Sequence, residues 1–447
     1  MVPIRSYASC RMPTAAILSI GDELVLGQIP ERNGGWLSAE LLKLGLMASE
    51  HRTVADDRQA ICAALKELAS RAALVVVTGG LGPTDDDLTR EALADALGTE
   101  LEEDARALQD LIDLYRRRAR PMPAMNRKQA LRPTQSECIQ NPHGTAPGIA
   151  ARIGDAEVFL LPGPPNEMRP MFHDVVAPAV LGITARAGGL QIATASVHSC
   201  GLPESAAAEL IRSLMERGGN PVVGTTASGA IVTARIRAMG SAATDGSLER
   251  TVQEVERAWA PYSFGRDGLT LPSALGEALL REHAMLAVVE SCSGGGVGAF
   301  ITSVPGASRW FAGGLITYSN ELKRELCGVP SALLERHGAV SEEVARALAQ
   351  GAAERCRCRF GLSITGIAGP DGGSADKPVG LVWVGLCDRG GGDRGLVTKA
   401  RSFQLLGDRD TVRERIARVS LQWVRLAALG MGDAPLLWER PTQGARA

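Results

Sequence analysis

The sequence predicts an α/β protein, with two doubly wound α/β domains joined by a small α+β module. Three observations carry that prediction. Short apolar, β-branched runs such as Thr14–Ile20, Ala73–Thr78 and Met285–Glu290 stop at a glycine or a polar turn, as buried strands do. Stretches with helical spacing of apolar residues alternate with them, the pattern of strand–helix–strand units. The chain has 447 residues, more than one ordinary domain and enough for two or three separate cores.

The first strand, Thr14–Ile20, ends at Gly21. Trp36, Leu37, Leu41 and Leu44 then recur at helical spacing, and Ile61–Ala69 reads as a second helix. Ala73–Thr78 is a second buried strand, stopped by Gly79 and Gly80, and Leu88–Leu97 is helical with acidic residues before its first turn. Val158–Leu161 runs into the rigid turn Pro162-Gly163-Pro164-Pro165. Gly188 and Gly189 mark a change of texture. From there to Phe264 the order is strand, helix (Glu204–Glu216), strand (Ala230–Ala238), helix (Leu248–Trp259), a small α+β module without a cluster of catalytic residue types. Arg266-Asp267-Gly268 reads as a linker. A second α/β unit follows from Thr270, with a helix over Leu275–Glu282, the strand Met285–Glu290, a glycine loop into a helix ending at Thr302, strands over Phe360–Thr365 and Val379–Leu386, and a long helix over Asp410–Leu429. The Gly-, Pro- and Arg-bearing tail from Gly430 reads as a disordered end.

Composition narrows the function classes. Hydrophobic residues make up 45% and charged residues 22%, an ordinary soluble balance. The net charge of −2 gives no overall field toward nucleic acid or anionic lipid, and the cluster Arg116, Arg117, Arg118, Arg120 reads as a solvated helix face. The nine cysteines contain no Cys-x-x-Cys pair, and the six histidines are scattered. Neither set has the spacing of a zinc site or a disulfide framework. Met1–Pro13 lacks the apolar core of a signal peptide, and no run of about 20 apolar residues follows. A cytoplasmic protein with reduced thiols is expected.

The chemistry of the second α/β unit concentrates in three segments. Glu290-Ser291-Cys292-Ser293-Gly294-Gly295-Gly296 lies between a strand and a helix, where main-chain N–H groups can hold a phosphate or stabilise an oxyanion. The same turn also serves as an ordinary strand–helix connection. Thr317-Tyr318-Ser319-Asn320 leads to Lys323. A serine needs a base before it attacks an amide, and a lysine kept neutral by its surroundings can be that base. A tyrosine nearby could relay the proton or orient the lysine. Thr365-Gly366-Ile367-Ala368-Gly369 forms a second glycine-rich turn after an apolar strand, and ligands of open α/β sheets sit at such strand ends.

Six blocks in this unit make a specific resemblance: ESCSGG from Glu290, GGLITYSNELK from Gly313, HGAVSEEV from His337, SITGIAGPDGG from Ser363, KPVGLVW from Lys377 and GDRD from Gly407. Residues 270–430 resemble the C-terminal domain of the CinA (competence/damage-inducible protein A) family, a nicotinamide-nucleotide amidase. The resemblance implies hydrolysis of nicotinamide mononucleotide to nicotinic acid mononucleotide and ammonia. It implies Ser291 as nucleophile, Lys323 as general base and Tyr318 as their assistant, and no cofactor. Ser293, Gly294, Gly295, Thr365, Gly366 and Gly369 would line the substrate site, and Arg409 or Arg413 would face the substrate phosphate. The family usually has threonine where this chain has Ser293, so a hydroxyl is retained.

In the first domain, Gly79-Gly80-Leu81-Gly82-Pro83-Thr84 precedes Asp85, Asp86 and Asp87. The glycines suit close approach to phosphates, and aspartates beside phosphates call for a divalent cation between them. Capping of the following helix is the competing reading. Gly21-Asp22-Glu23 also follows a strand. Residues 13–182 resemble the molybdopterin-binding fold of the N-terminal half of CinA proteins, through IGDELVLGQI, GGLGPTDDDLTREA, NPHGTAPG and LPGPPNEM. The resemblance implies metal-dependent hydrolysis of ADP-ribose and related pyrophosphates. Asp22, Asp86 and Asp87 would lie near a divalent metal, and Gly79, Gly80, Gly82, Thr84, Asn141, Gly144, Gly148, Gly163 and Glu167 near the nucleotide. Where the family often has Asp-Thr-Asn, this chain has Glu31-Arg32-Asn33. Residues 190–265 fall where the family carries a small KH-like domain, here poor in positive charge around Gly218-Gly219-Asn220 and read as structural or dimer-forming.

The expected protein is thus a bifunctional enzyme of pyridine-nucleotide salvage and a homodimer, acting on small nucleotides without direct nucleic-acid or membrane contact. A non-catalytic scaffold in DNA uptake or damage response and a molybdopterin-handling enzyme are the alternatives. Neither needs the Ser291, Tyr318 and Lys323 set.

Overall fold

The apolar runs become the central strands of separate sheets in a computed structural model that describes residues 13–189, 191–390 and 395–441. The expectation for the first twelve residues lies outside the described residues. The chain divides into two units, one of residues up to Ala193 with Met239–Ser241, the other of Thr194–Ala238 and the residues from Ala242 on.

Among the described residues, the first unit contains strands β1 (Thr14–Ile20), β2 (Met47–Val54), β3 (Leu74–Thr78), β4 (Leu101–Glu103), β5 (Leu131–Pro133), β6 (Ser136–Ile139), β7 (Gly148–Ile153) and β8 (Ala156–Leu161). Its main sheet has the order β2-β1-β3-β8-β7-β6, and β4 pairs with β5 apart from it. Strands β2, β1, β3 and β8 are parallel; β7 and β6 are antiparallel additions. Successive β1 residues feed opposite faces. Ala16, Leu18 and Ile20 pack with Ile61, Leu65 and Leu68 of the helix Arg58–Ala69. Ala15 and Ile17 pack with Leu37 and Leu41 of the helix Asn33–Lys43, and with Phe172 and Val176. Helices on both faces bury both sides of the sheet, which is why its strands read as continuous apolar runs.

In the second unit, β9 (Ile192–Cys200), β10 (Val222–Ser228), β11 (Ile231–Met239) and β12 (Ser263–Arg266) form a sheet of order β10-β11-β9-β12. The expected helix from Glu204 ends at Leu210 and gives way to a 3-10 turn at Arg212–Met215. Strands β10 and β12 have no counterpart in the sequence reading, and Arg266, read there as linker, closes β12. The second sheet of this unit is built from β13 (Leu286–Glu290), β14 (Phe311–Ile316), β15 (Phe360–Gly366), β16 (Leu381–Asp388) and β17 (Val397–Gln404), in the order β14-β13-β15-β16-β17. The first three are parallel and the last two antiparallel. Leu286 and Val288 face Leu275, Leu279 and the long helix Arg409–Ala428, while Ala287 and Val289 face Val344 and Leu348 of the helix Glu342–Arg355.

Residues 430–441 depart from their reading as a disordered end; the rest of that reading, 442–447, lies outside the described residues. Arg440 N donates to Ser402 O (2.8 Å), Glu439 pairs with Arg401 (3.0 Å), and Trp438 lies under the Arg415 guanidinium, so residues 430–441 are held against β17 and the long helix. The same helix meets the small sheet, where Arg418 donates to Gly229 O (2.9 Å) and Arg425 to Ser263 O (2.7 Å). Among the described residues no helix is long and apolar enough to cross a membrane.

Candidate active site

In the second unit, chain order places β13 between β14, which follows it, and β15, which comes later on its other side. The connections therefore leave in opposite directions from the C-terminal end of β13, and a crevice opens there. Ser291 is the first residue past β13, and its N–H donates to Ile364 O of β15 (3.0 Å). Lys323 reaches it from the first turn of the helix Asn320–Cys327, whose N-cap Ser319 accepts from Leu322 N. The Lys323 Nζ lies 3.2 Å from Ser291 Oγ, 2.8 Å from Thr317 O and 3.2 Å from Tyr318 O. Lys323 is only 1% exposed and Ser291 9%. Burial lowers the lysine from its ordinary value, and among the described residues no carboxylate pairs with it. A neutral amine fits this environment. The amine donates to the carbonyls of Thr317 and Tyr318 and to Ser291 Oγ; in its neutral form two N–H groups would keep the carbonyls and the lone pair would be free for the serine hydroxyl. Cys292 next door is buried and its thiol is pushed up to about 12 by that burial, so it stays protonated and leaves nucleophilic attack to Ser291.

The turn after Ser291 is organised by a residue to which the sequence reading gave no role. Glu290, 2% exposed, accepts hydrogen bonds from Gly295 N (2.9 Å), Val297 N (3.0 Å) and Gly298 N (2.8 Å). The N-terminus of the helix Gly296–Thr302 is thus closed by the protein's own carboxylate, and the Gly295 N–H expected to meet substrate is already taken. Gly294 N bonds back to Ser291 O (3.1 Å). Among the described residues the Ser293 N–H has no partner and the Cys292 N–H meets only its own thiol, and the buried hydroxyls of Ser293 and Thr317 have no partner either.

The remaining expected residues separate into two groups. Arg409 and Arg413 come to the crevice from the start of the long helix. Arg409 donates to Gly369 O (2.9 Å) and to Tyr318 Oη (3.1 Å), and Arg413 donates to Ser293 O (3.2 Å). The Tyr318 ring is 61% exposed and its hydroxyl is held by Arg409, so what orients the lysine is the Tyr318 carbonyl rather than the phenol expected from the sequence. Thr365 spends its hydroxyl on Ala339 O (2.8 Å), and a side chain at Gly366 would collide with β16, so these two serve the sheet.

The first unit has the same arrangement, with β1 between β2 and β3, and a cavity of about 670 Å³ at the strand ends. It is lined by Gly21, Asp56, Gly79, Gly80, Gly82 and Asp86, with Asn33, Gly163 and Glu167 opposite. Gly79 and Gly80 have positive φ, and a side chain on either would strike Ile20 O or Thr89. Arg90 lies buried behind this loop and donates to the carbonyls of Leu81 and Gly82; burial lowers its guanidinium to about 10, leaving it charged at neutral pH. Asn141 is consumed in shaping its own turn, accepting from Gly144 N (3.0 Å) and donating to Glu167 (2.7 Å), and Gly144 leaves room for Glu167.

The expected metal ligands do not assemble. Asp87 accepts from Gly82 N (2.7 Å), Thr84 N (2.9 Å) and the Thr84 hydroxyl, and so pins the loop; it neither caps the next helix nor stands open. The carboxylates of Asp22 and Asp56 each accept from the other's main-chain N–H (3.1 and 2.9 Å), and the Asp56 carboxyl is raised first by burial and further by Asp22, Glu23 and Asp86. Among the described residues no three His, Cys, Asp or Glu side chains form a group that could hold a metal ion. The Asp22, Asp86 and Asp87 set is therefore not a metal cage built by the protein alone. Asp56 and Arg90 were not found by sequence reasoning. The pair Asp56-Asp57 directly after a strand was the available signal for the first; nothing local marks the second.

Three protein families match successive stretches of the chain. The CinA C-terminal domain family matches residues 269–428, the probable molybdopterin binding domain family residues 16–182, and the damage-inducible protein CinA KH domain family residues 194–265. A protein of Symbiobacterium thermophilum, described as competence-damage inducible, is 42% identical over 427 residues, covering 94% of this chain and 100% of that protein. A CinA-like protein of Citrifermentans bemidjiense is 41% identical over 421 residues, covering 94% and 99%. Among solved structures, a CinA protein of unknown function from Thermoplasma acidophilum is 30% identical, covering 37% of this chain and 97% of that one, with a TM-score of 0.35.

Proposed function

The chain belongs to the CinA family, and from that premise we propose that its C-terminal domain hydrolyses the carboxamide of nicotinamide mononucleotide, releasing ammonia and nicotinic acid mononucleotide. The observation that carries this reading is the buried Lys323 amine, lowered from its ordinary value by burial and 3.2 Å from the Ser291 hydroxyl. In the proposed reaction Lys323 takes the Ser291 proton as Oγ attacks the carboxamide carbon. The carbonyl oxygen becomes an oxyanion beside the N–H groups of Cys292 and Ser293, neither of which donates to another residue. The lysine then gives its proton to the leaving nitrogen, ammonia departs, and a serine ester remains. Water, deprotonated by the same lysine, attacks the ester and restores Ser291. Arg409 and Arg413 offer two guanidinium groups at the rim for the substrate phosphate.

The test is ammonia release by the purified full chain from nicotinamide mononucleotide, with and without a chelator. Release that a chelator does not change, and that Ser291→Ala abolishes, is the expected outcome. Wild-type turnover at the background rate overturns the proposal.

For the first domain, the 670 Å³ cavity and its glycine loop favour binding of a nucleoside pyrophosphate, with Arg90 supplying positive charge behind the loop.

A further inference from the structure

Glu290 is a buried carboxylate without a cation. Among the described residues no lysine or arginine pairs with it, and its oxygens are satisfied by main-chain N–H groups alone. Burying an ion in this way is costly unless several charge-assisted hydrogen bonds compensate. A serine or aspartate cap would close a helix of this length at lower cost. The carboxylate does something such a cap does not. It stands one residue before the nucleophile, on the central strand, and reaches over the turn to residues five, seven and eight positions ahead. The turn Ser291–Gly295 is thereby closed into a ring, anchored at its base by Thr317 N donating to Glu290 O (2.8 Å).

The ring divides the donors of the turn. Gly295, Val297 and Gly298 are spent on Glu290, and Gly294 on Ser291 O. Those of Cys292 and Ser293 are left over. These two follow the nucleophile directly, where an oxyanion formed on its acyl group would stand. We infer that Glu290 is a positioning residue of the amidase site, which holds the Cys292 and Ser293 N–H groups in place for the oxyanion. The inference rests on the amidase reading for its substrate, and on the turn geometry alone for its mechanics.

The test is Glu290→Gln in the full chain, which sets an NH2 group against main-chain donors. With nicotinamide mononucleotide, kcat should fall by the order of 10²-fold, as for a lost oxyanion donor, with KM within about twofold. The pH at which activity rises belongs to Lys323 and should not move. Phosphonylation of Ser291 by a serine-directed fluorophosphonate should slow by a similar factor, with Ser291→Ala as the blank. That arm needs no natural substrate, so it separates failure of this inference from failure of the amidase reading. Amide hydrogen exchange in the wild-type chain adds a measurement independent of any variant. Gly295, Val297 and Gly298 should exchange slowly, and Cys292 and Ser293 fast. Wild-type labelling rates in Glu290→Gln, a raised KM with unchanged kcat, or equal protection of all five amides would each overturn it.

Discussion

Replacing Lys323 by methionine removes one nitrogen and nearly nothing else from the volume of the site. The structure sets what that nitrogen is worth. It is the one side-chain base within hydrogen-bonding reach of Ser291 Oγ among the described residues. General-base assistance of this kind contributes about 10²- to 10⁴-fold, or about 3–5 kcal/mol of transition-state stabilisation. The Thr317 and Tyr318 carbonyls lose their partner, at about 1–3 kcal/mol for each buried group left unsatisfied, offset by no longer burying an amine. The variant should fold, and far-UV circular dichroism checks that it does. Ammonia release from nicotinamide mononucleotide, followed from pH 6 to 10, is the assay. In the wild type, burial holds the lysine below 10.5, so activity should rise with pH through that lowered value and level off before the ordinary lysine range. In Lys323→Met the plateau should vanish, and the residual rate should climb with hydroxide. Stability follows the same group. Between the lowered folded value and 10.5 the unfolded chain holds a proton that the native chain lacks, so wild-type stability should rise with pH across that window relative to Lys323→Met. A methionine variant that keeps its rate within tenfold, or an unchanged pH profile, refutes the proposed dyad.

Two further outcomes follow from particular contacts. Tyr318→Phe keeps the carbonyl that orients the lysine and frees Arg409 from the phenol, so KM should rise severalfold while kcat falls by less than about tenfold; steady-state kinetics decide this, and a loss of kcat beyond about 10²-fold would assign the hydroxyl a chemical role. Asp87→Ala frees Gly82 and Thr84 of the first domain's glycine loop, and should lower that domain's stability by about 2 kcal/mol in urea unfolding, with weaker binding of ADP-ribose by calorimetry; unchanged stability would mean that the loop holds itself.

The sequence made the central strands legible because both faces of each sheet are covered. Ala287 and Val289 need apolar partners as much as Leu286 and Val288 do, so β13 shows as an unbroken apolar run. Strand β10 escaped notice because most of its positions are exposed or half-buried, which dilutes the pattern, and β12 because its four residues include a single buried apolar one, Phe264. The dyad residues were given their roles by resemblance to a family; the segments alone offered a serine and a lysine 32 positions apart, and only folding brings the amine to Ser291. Glu290 was visible in its motif but without a role, because its partners are main-chain groups and carry no residue identity. For the same reason Asp87 was taken for a metal ligand. Nothing in a run of three aspartates tells which of them turns back on its own loop.

Both units seat their candidate sites where a central parallel strand stops, with its neighbours in chain order on either flank. Tolerance for change is therefore uneven along a single strand. Val288 can hardly vary without disturbing the helices packed on its face of the sheet, whereas Gly294, at the tip of the turn past Glu290, is exposed and touches no core. A lineage can rewrite what the molecule meets at these loops while inheriting the scaffold untouched, and the two sites, each hung from its own sheet, can drift at different speeds within one gene.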